Sequence, residues 1–490
     1  MRSTYAERFS RFCLGLLAAA LLLWLLRVGV PGDLPAGGVS LKTGQPVLVV
    51  LRPALAATLG NAAAAVLYAL PAALLLGVPA GLRPESPVDR VLQAPAVALM
   101  GVPAYAAGIL GVWLVMSGPL GGVSLSAAAN GALTVVLVGW LARAVRDGLA
   151  GAREDGLPLS PARALAAVLG RILQQTGNIL VLTMAAWFVA RGPGAGLLGQ
   201  VAGASANRDF PVLQAGLWAL VGCGLAGHLA GDLLVTAAGT RRAAGRPSRG
   251  WLAVGVLLVL VLFAAALPGG APGVAPANLQ ARLLPPGSEG LVLGTDQLGR
   301  DLLSRIGEAA RTSLAVAGGA LAVAALGGAV VAGIGLAAGK RGRTLLAPRV
   351  AVPGLLGPLL AGMTLPGLLT GALTPRSSIF AFMLALGLAS VPAAAWAFRR
   401  FGAAPRQQWP ALLGLLTLTL AQILLTEFTL SFLGFGLGAP LESLGRLAGD
   451  ALPLIRTAPH LLWGVLPGAA GLIGLFLTGH ALLDAAPDEE

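Results

Sequence analysis

Long apolar runs alternate with short polar stretches along the whole chain. A helix crossing about 30 Å of hydrocarbon takes about 20 apolar residues. Candidate crossings of that length centre near Leu21, Val66, Ile109, Val136, Val181 and Leu220, then near Leu257, Val323, Leu359, Leu384, Leu420 and Ile473. Lipid admits only helices and closed barrels, because every backbone polar group must be satisfied internally. These runs are too long for barrel strands, so the pattern predicts an all-α polytopic membrane protein of about twelve transmembrane helices. Prolines interrupt the ninth run. The first run follows Arg2, Arg8 and Arg11 in the manner of a signal peptide. No small-residue cleavage site follows it, so a retained helix is expected.

The polar stretches carry a second pattern, since basic residues gather in alternate ones. One series holds Arg83 and Arg90, then Arg143, Arg146, Arg153, Arg163 and Arg171, then Arg241, Arg242, Arg246 and Arg249. It continues with Lys340, Arg341, Arg343 and Arg349, and closes with Arg399, Arg400 and Arg406. This is a positive-inside distribution, and it predicts that both termini face the cytoplasm. The segment Thr236 to Gly250 (TAAGTRRAAGRPSRG) is basic and rich in helix breakers. It divides the chain into two six-helix halves, 1–240 and 251–490, joined by a cytoplasmic linker at 241–250. A parallel repeat of six-helix units is a common transporter plan.

One internal match supports a repeat. The first half ends its last run with Gly227-His228-x-x-x-Asp232, and the second with Gly479-His480-x-x-x-Asp484. His and Asp at i, i+4 share a helix face. Two readings stand for these ionisable groups: the pairs meet across a pseudo-two-fold axis to bind metal or relay protons, or each His hydrogen-bonds its own Asp. Glu427, within the eleventh run, is a third intramembrane polar candidate, with Arg300 or Arg446 as its partner, or else a plain interfacial carboxylate.

Composition agrees with the pattern. Of 490 residues, 56% are hydrophobic and 11% charged, against about 25% charged in soluble proteins. Net charge +13 belongs to the topology and does not imply nucleic acid. Cys13 and Cys223 form neither a disulfide framework nor a CxxC site. Glycine is abundant, at 70 residues, and small residues let membrane helices approach closely. No serine triad, paired catalytic carboxylates or zinc ligand set is present, and no bound cofactor or metal is expected.

One polar segment breaks the apolar monotony. Leu293 to Leu314, LGTDQLGRDLLSRIGEAARTSL, lies in the long stretch at 268–312, which the topology places outside the membrane. Its Gly294, Thr295, Asp296, Gly299, Arg300, Asp301 and Arg305 are candidate site residues. An external amphipathic helix pairing Asp296 with Arg300, or Asp301 with Arg305, over the outer mouth is the expectation.

This segment closely resembles the signature of the second (C-type) permease subunit in the dipeptide/oligopeptide/nickel family of ATP-binding-cassette (ABC) importers. Glu427-Phe-Thr-Leu-Ser-Phe-Leu-Gly-Phe-Gly436 resembles that subunit's SFLGLG motif, and Ser443-Leu-Gly-Arg446 and Ala458-Pro459 its closing region. The first half resembles the partner B-type subunit. Its markers are Pro31-Gly32-Asp33, Leu76-Gly-Val-Pro-Ala-Gly81, Gly101-Val-Pro-Ala-Tyr105 and Arg208-Asp-Phe-Pro-Val-Leu-Gln214, in that order. The resemblance implies a fused B–C permease of the bacterial inner membrane, working by alternating access. It also implies two cytoplasmic ABC ATPase subunits and an external solute-binding protein as partners. The chain is not itself expected to hydrolyse ATP. A phosphate loop needs G-x-x-x-x-G-K-[ST]; Gly339-Lys340 is followed by Arg341, and Ile334 stands at the first glycine position.

The chain departs from the family at its coupling loops, where an acidic E-A-A-x-x-x-G helix docks into each ATPase. Glu308-Ala-Ala310 lies in the wrong segment. The second-half position reads Trp396-Ala-Phe-Arg-Arg-Phe-Gly402, with Arg399, Arg400 and Gly402 but no acid. The first-half loop holds Glu154, Asp155 and Arg163 and an Ala-rich helix from Pro161 to Leu173. An importer with altered loops and an uncoupled, permease-derived scaffold or regulatory protein are therefore both open.

Overall fold

The computed structural model describes residues 38–119, 122–153, 160–191, 196–207, 209–239, 249–267, 277–337, 375–403, 407–437 and 441–485. The expected crossings near Leu21 and Leu359, and the linker residues 241–248, lie outside these. Regular structure among the described residues is helical, apart from two isolated bridges, Val39 with Pro46 and Thr295 with Asp301.

The α-helices of the first part are α1 (Val47–Leu82), α2 (Pro87–Met100), α3 (Ala104–Met116), α4 (Leu125–Arg153), α5 (Pro161–Gln174), α6 (Thr176–Arg191), α7 (Gly196–Ala206) and α8 (Phe210–Ala237). Those of the second are α9 (Arg249–Ala265), α10 (Leu302–Ala337), α11 (Pro375–Ala403), α12 (Trp409–Phe432), α13 (Leu444–Ala451) and α14 (Leu466–Asp484). Six helical stretches among them are long and apolar enough to cross a membrane, or eight if each of two bent pairs counts as one crossing. This is an all-α, multi-pass membrane architecture.

The bends depart from the straight crossings expected near Ile109 and Val181. α2 and α3 meet at 87°, and α5 and α6 at 51°. The first break falls at Gly101-Val-Pro103. Proline disfavours helical geometry in the residue before it and cannot donate a backbone hydrogen bond. The polar stretch expected at 268–312 is also shorter in space, because α10 begins at Leu302.

Packing inverts the rule of soluble proteins. α1 buries Ala62, Ala65, Ala69, Ala73, Gly77 and Gly81, while Leu67 and Leu75 are 67% and 74% exposed. α10 buries Ala317, Ala320, Ala324, Gly328 and Ala332 and leaves Leu326 72% exposed. Large side chains face the lipid, and small ones let backbones touch. α1 packs most extensively on α4, and α10 on α11, in both cases with the two helices parallel. A Cβ on Gly77 would come within 2.7 Å of Ala142 and Val145, and one on Gly81 within 2.8 Å of Leu149. Gly327 and Gly328 sit equally tightly on Val391 and Ala394. α1 and α10 are each 36 residues long.

Aromatic rings join the two parts of the molecule. Phe432 of α12 stacks on Tyr105 of α3 at 4.7 Å and meets Phe188 of α6 edge-on at 5.6 Å. Trp140 of α4 meets Phe476 of α14 at 5.9 Å. The bundle thus has a signature end, where α10 begins and α12 finishes, and an opposite end, where α1, α4 and α14 finish.

Candidate functional site

Residues 277–301 fold back on themselves rather than forming the expected helix. Thr295 donates its hydroxyl to the Ala281 carbonyl (2.5 Å) and accepts the Leu284 N–H (2.8 Å), while the Leu283 N–H reaches the Asp296 carbonyl (3.0 Å). Two glycines in the left-handed region make the turns, Gly294 at φ 76° and Gly299 at φ 74°. A Cβ on Gly299 would overlap the Asn278 carbonyl oxygen, so both geometry and space require glycine there.

The charged residues of this segment converge on carboxylates remote in sequence. Asp296 accepts the backbone N–H of Leu298 (2.8 Å) and Arg300 (2.9 Å) on one oxygen, and Arg300 Nε (2.8 Å) and Arg305 (2.7 Å) on the other. Arg300 also donates to Glu442 (3.0 Å). Arg305 donates to Glu442 (2.7 Å) and Asp450 (3.1 Å). Asp296, Arg305 and Glu442 are buried. The expected Asp296–Arg300 pair is therefore present, but the Asp301–Arg305 pair is not. Asp301 instead accepts the N–H and hydroxyl of Ser304 (2.9 and 2.5 Å) and caps α10. Glu442 and Asp450 were not among the sequence candidates, although Glu442 directly precedes the quoted Ser443-Leu-Gly-Arg446.

Glu427 is fully buried on α12. Its Oε1 accepts the Ser431 hydroxyl at 2.7 Å, and Ser313 of α10 and Ser443 bring hydroxyls to the same carboxyl group. Neither expected arginine partner reaches it: Arg300 is held by Asp296 and Glu442, and Arg446 donates to the Leu441 carbonyl (3.3 Å). The first half has a simpler counterpart at the same end. Asp209 accepts the Ser40 hydroxyl and the N–H groups of Leu41 (3.0 Å) and Lys42 (3.4 Å), fixing the turn before α1.

A second charged layer closes the opposite end. Arg146 grips Asp89 with two nitrogens (3.1 and 2.7 Å) and touches Asp147 (3.1 Å). Arg143 bridges Asp147 (3.4 Å) and Asp484 (3.3 Å), tying α4 to α14. Forked arginine–carboxylate contacts are both strong and geometrically specific. The arginines were legible only as topology markers.

The first His–Asp pair does not form the expected hydrogen bond. His228 Nε2 stands 4.0 Å from Asp232, beyond hydrogen-bonding reach. Its Nδ1 lies 3.2 Å from the Gln174 carbonyl, and Asp232 accepts the Gln174 amide at 2.6 Å. Asp484 is held by Arg143. The pairs are thus anchored on different helices, α5 and α4, and no group of three or more His, Cys, Asp or Glu among the described residues is placed to hold a metal.

The coupling positions differ between the halves. Glu154 and Asp155 lie outside the described residues. Beyond them α5 stands as a separate helix capped by Ser160, with Arg163 donating to the Ala238 carbonyl at 2.7 Å. In the second half α11 ends at Ala403 and α12 begins at Trp409. Residues 404–406 lie outside the described set. Arg400, buried beside Arg399, donates to Gln408 (2.8 Å), Phe401 meets Trp409 edge-on at 4.7 Å, and Gly402 abuts Leu336. No helix equivalent to α5 separates these two.

No protein-family model matches the chain, and no curated protein matches it.

Proposed function

We propose that the chain is the fused transmembrane permease of an ABC importer of the peptide/nickel type. It would carry a small solute across the bacterial inner membrane by alternating access between two homologous halves. The observation that carries this reading is the meeting of motif stretches that lie far apart in sequence. Arg300 and Arg305 of the signature segment bind Glu442 beside Ser443-Leu-Gly-Arg446, and Ser313 and Ser443 flank Glu427 of the SFLGFG stretch. Residues that resemble one subunit's motifs behave as one folded unit. The matched lengths and parallel packing of α1 with α4 and of α10 with α11 support a repeated plan.

On this reading the signature end faces outward and receives cargo from a solute-binding protein. The opposite end meets the ATPases, with α5 as docking helix, and ATP hydrolysis resides in those partners. A second reading is favoured by one feature: the direct connection of α11 to α12 leaves no second docking helix. An uncoupled scaffold would have that form.

Purification of the tagged protein from its native membrane, followed by mass spectrometry, separates the two. Stoichiometric ABC ATPases are the expected companions. Their absence, with and without trapped nucleotide, would transfer the conclusion to the scaffold.

A further inference from the structure

The carboxyl group of Glu427 lies where α10, α12 and the start of α13 meet. Glu427, Ser313 and Ser443 are wholly buried. The Ser431 hydroxyl donates to Glu427 Oε1 at 2.7 Å, and the Ser313 and Ser443 hydroxyls face the same group. Backbone contacts fix these two. Ser313 Oγ accepts the Leu444 N–H (3.2 Å), and Ser443 Oγ accepts the Arg446 N–H (3.3 Å) as it caps α13. Beyond α12 the chain turns at Gly434, φ 84°, and folds back on the helix. A Cβ on Gly436 would overlap Ser431 Oγ, and one on Gly445 the Phe428 carbonyl oxygen. Glycine at both positions lets the return path close over the carboxyl group.

The cage holds no positive side chain. Among the described residues, no Arg, Lys or His pairs with Glu427. The charged groups on the elements around it are engaged elsewhere. Arg300, Arg305, Asp296, Glu442 and Asp450 hold one another. Arg311 of α10 donates to the Ala266 carbonyl (2.9 Å), Arg446 of α13 to the Leu441 carbonyl (3.3 Å), and His460 meets the Thr295 carbonyl (2.9 Å). Glu308 lies off the face of α10 that carries Ser313, since residues three or four apart share a face. Asp484 of α14 and Arg399 and Arg400 of α11 stand at the opposite end. Tyr105 of α3 is the titratable side chain within electrostatic reach across the seam. Glu427 Oε2 has no hydrogen-bond partner. A carboxylate in an apolar interior is costly without a compensating charge, and a buried polar atom left unpaired calls for an explanation specific to its site.

We propose that Glu427 binds one small monovalent cation, sodium or a proton, on Oε2 within the cage of the Ser313, Ser431 and Ser443 hydroxyls. One carboxylate balances one positive charge. Oxygen donors suit hard cations, and hydroxyl oxygens have lone pairs to offer a metal ion. A divalent ion draws on more carboxylates, and no group of three His, Cys, Asp or Glu among the described residues is placed to hold one. A proton on Oε2 would instead donate to a serine oxygen. Either occupant removes the buried charge and ties α12 to α10 and α13, which steadies the signature end. The proposal goes beyond the permease reading and does not rest on it.

The test uses the full chain in lipid nanodiscs, as wild type and as Glu427→Gln, which keeps the shape and removes the charge. Thermal unfolding midpoints are compared in sodium chloride and choline chloride of equal ionic strength, across a pH series. Infrared spectra follow the carboxyl C=O stretch. A sodium site predicts a saturable rise of the midpoint in sodium over choline, lost in Glu427→Gln. A proton site predicts a neutral-acid C=O band that moves in D2O and is absent from Glu427→Gln. The wild-type midpoint should then gain on that of the variant as the pH falls. Ser313→Ala, which keeps Glu427, should weaken the apparent affinity for the occupant severalfold in either case. Equal responses to sodium, choline and pH in wild type and Glu427→Gln, with no band assigned to Glu427, would overturn the proposal. If Glu427→Gln does not fold, Ser313→Ala decides, and an affinity it leaves unchanged overturns the site equally.

Discussion

Arg305 reaches three carboxylates, Asp296, Glu442 and Asp450, while remaining 4% exposed. Removing one side of a buried charge cluster leaves the others uncompensated, at a cost of about 3–5 kcal/mol. Arg305→Leu should therefore lower the midpoint of thermal unfolding in detergent. Arg305→Lys should recover only part of it, because an ammonium lacks the planar fork. Gly299→Ala combines a positive φ with overlap on the Asn278 carbonyl. Strain of that kind costs about 1–3 kcal/mol, so the variant should lose monodisperse yield on size-exclusion chromatography. The sequence marked Asp296, Arg300 and Arg305 as candidates because charge is rare around them. It could not mark their partners, since Glu442 lies 137 residues beyond Arg305 and no spacing rule reaches that far. Glu427 shows the same limit: the sequence left a plain interfacial carboxylate open, and the serines around this buried one come from three separate elements.

At the scale of the helix, contact is decided by what is missing from the side chain. Gly81 faces Leu149 and Arg146 with no room for a Cβ, whereas Gly131 has nothing within 4 Å. Overpacking a tight site costs about 1–3 kcal/mol. Gly81→Ile should therefore lower the unfolding midpoint clearly, and Gly131→Ile should leave it nearly unchanged. Helix positions were readable because the requirement for unbroken apolar length is strict in lipid. The Ala-rich helix expected at Pro161 to Leu173 is found as α5. Bends were harder to read, since proline both tolerates and ends helices in membranes. Of the prolines in these runs, Pro53, Pro71 and Pro79 lie inside α1 without ending it, while Pro103 stands at an 87° turn.

At the scale of the whole molecule, the ion pairs among the described residues sit in two layers at the ends, with aromatic contacts between them. The Arg143–Asp484 pair links the halves directly. Arg143→Asp and Asp484→Arg should each lower the unfolding midpoint, and their combination should recover part of the loss. Coupling between contacting residues commonly amounts to about 0.5–3 kcal/mol; strict additivity would show that the pair is incidental. Among the described residues the halves also differ in what they present at this end, since only the first shows a separate helix there, α5. If ATPases dock there, a single lever is moved and the halves rock unequally. Asp484→Arg alone should then alter nucleotide hydrolysis more than cargo delivery to the signature end.

The long reach of the signature cluster also has a consequence during synthesis. Arg300 precedes Glu442 by 142 residues, and Arg305 precedes Asp450 by 145. Ribosomes add about 5–20 residues each second. A growing chain that has threaded α10 into the bilayer thus holds two guanidiniums without two of their three carboxylates for on the order of ten seconds. Asp296 alone cannot balance them. During that interval the two arginines outnumber the carboxylates yet made to hold them. A chain truncated before Glu442 would keep that imbalance, so the last tenth of the polypeptide completes a cluster that the start of α10 leaves open.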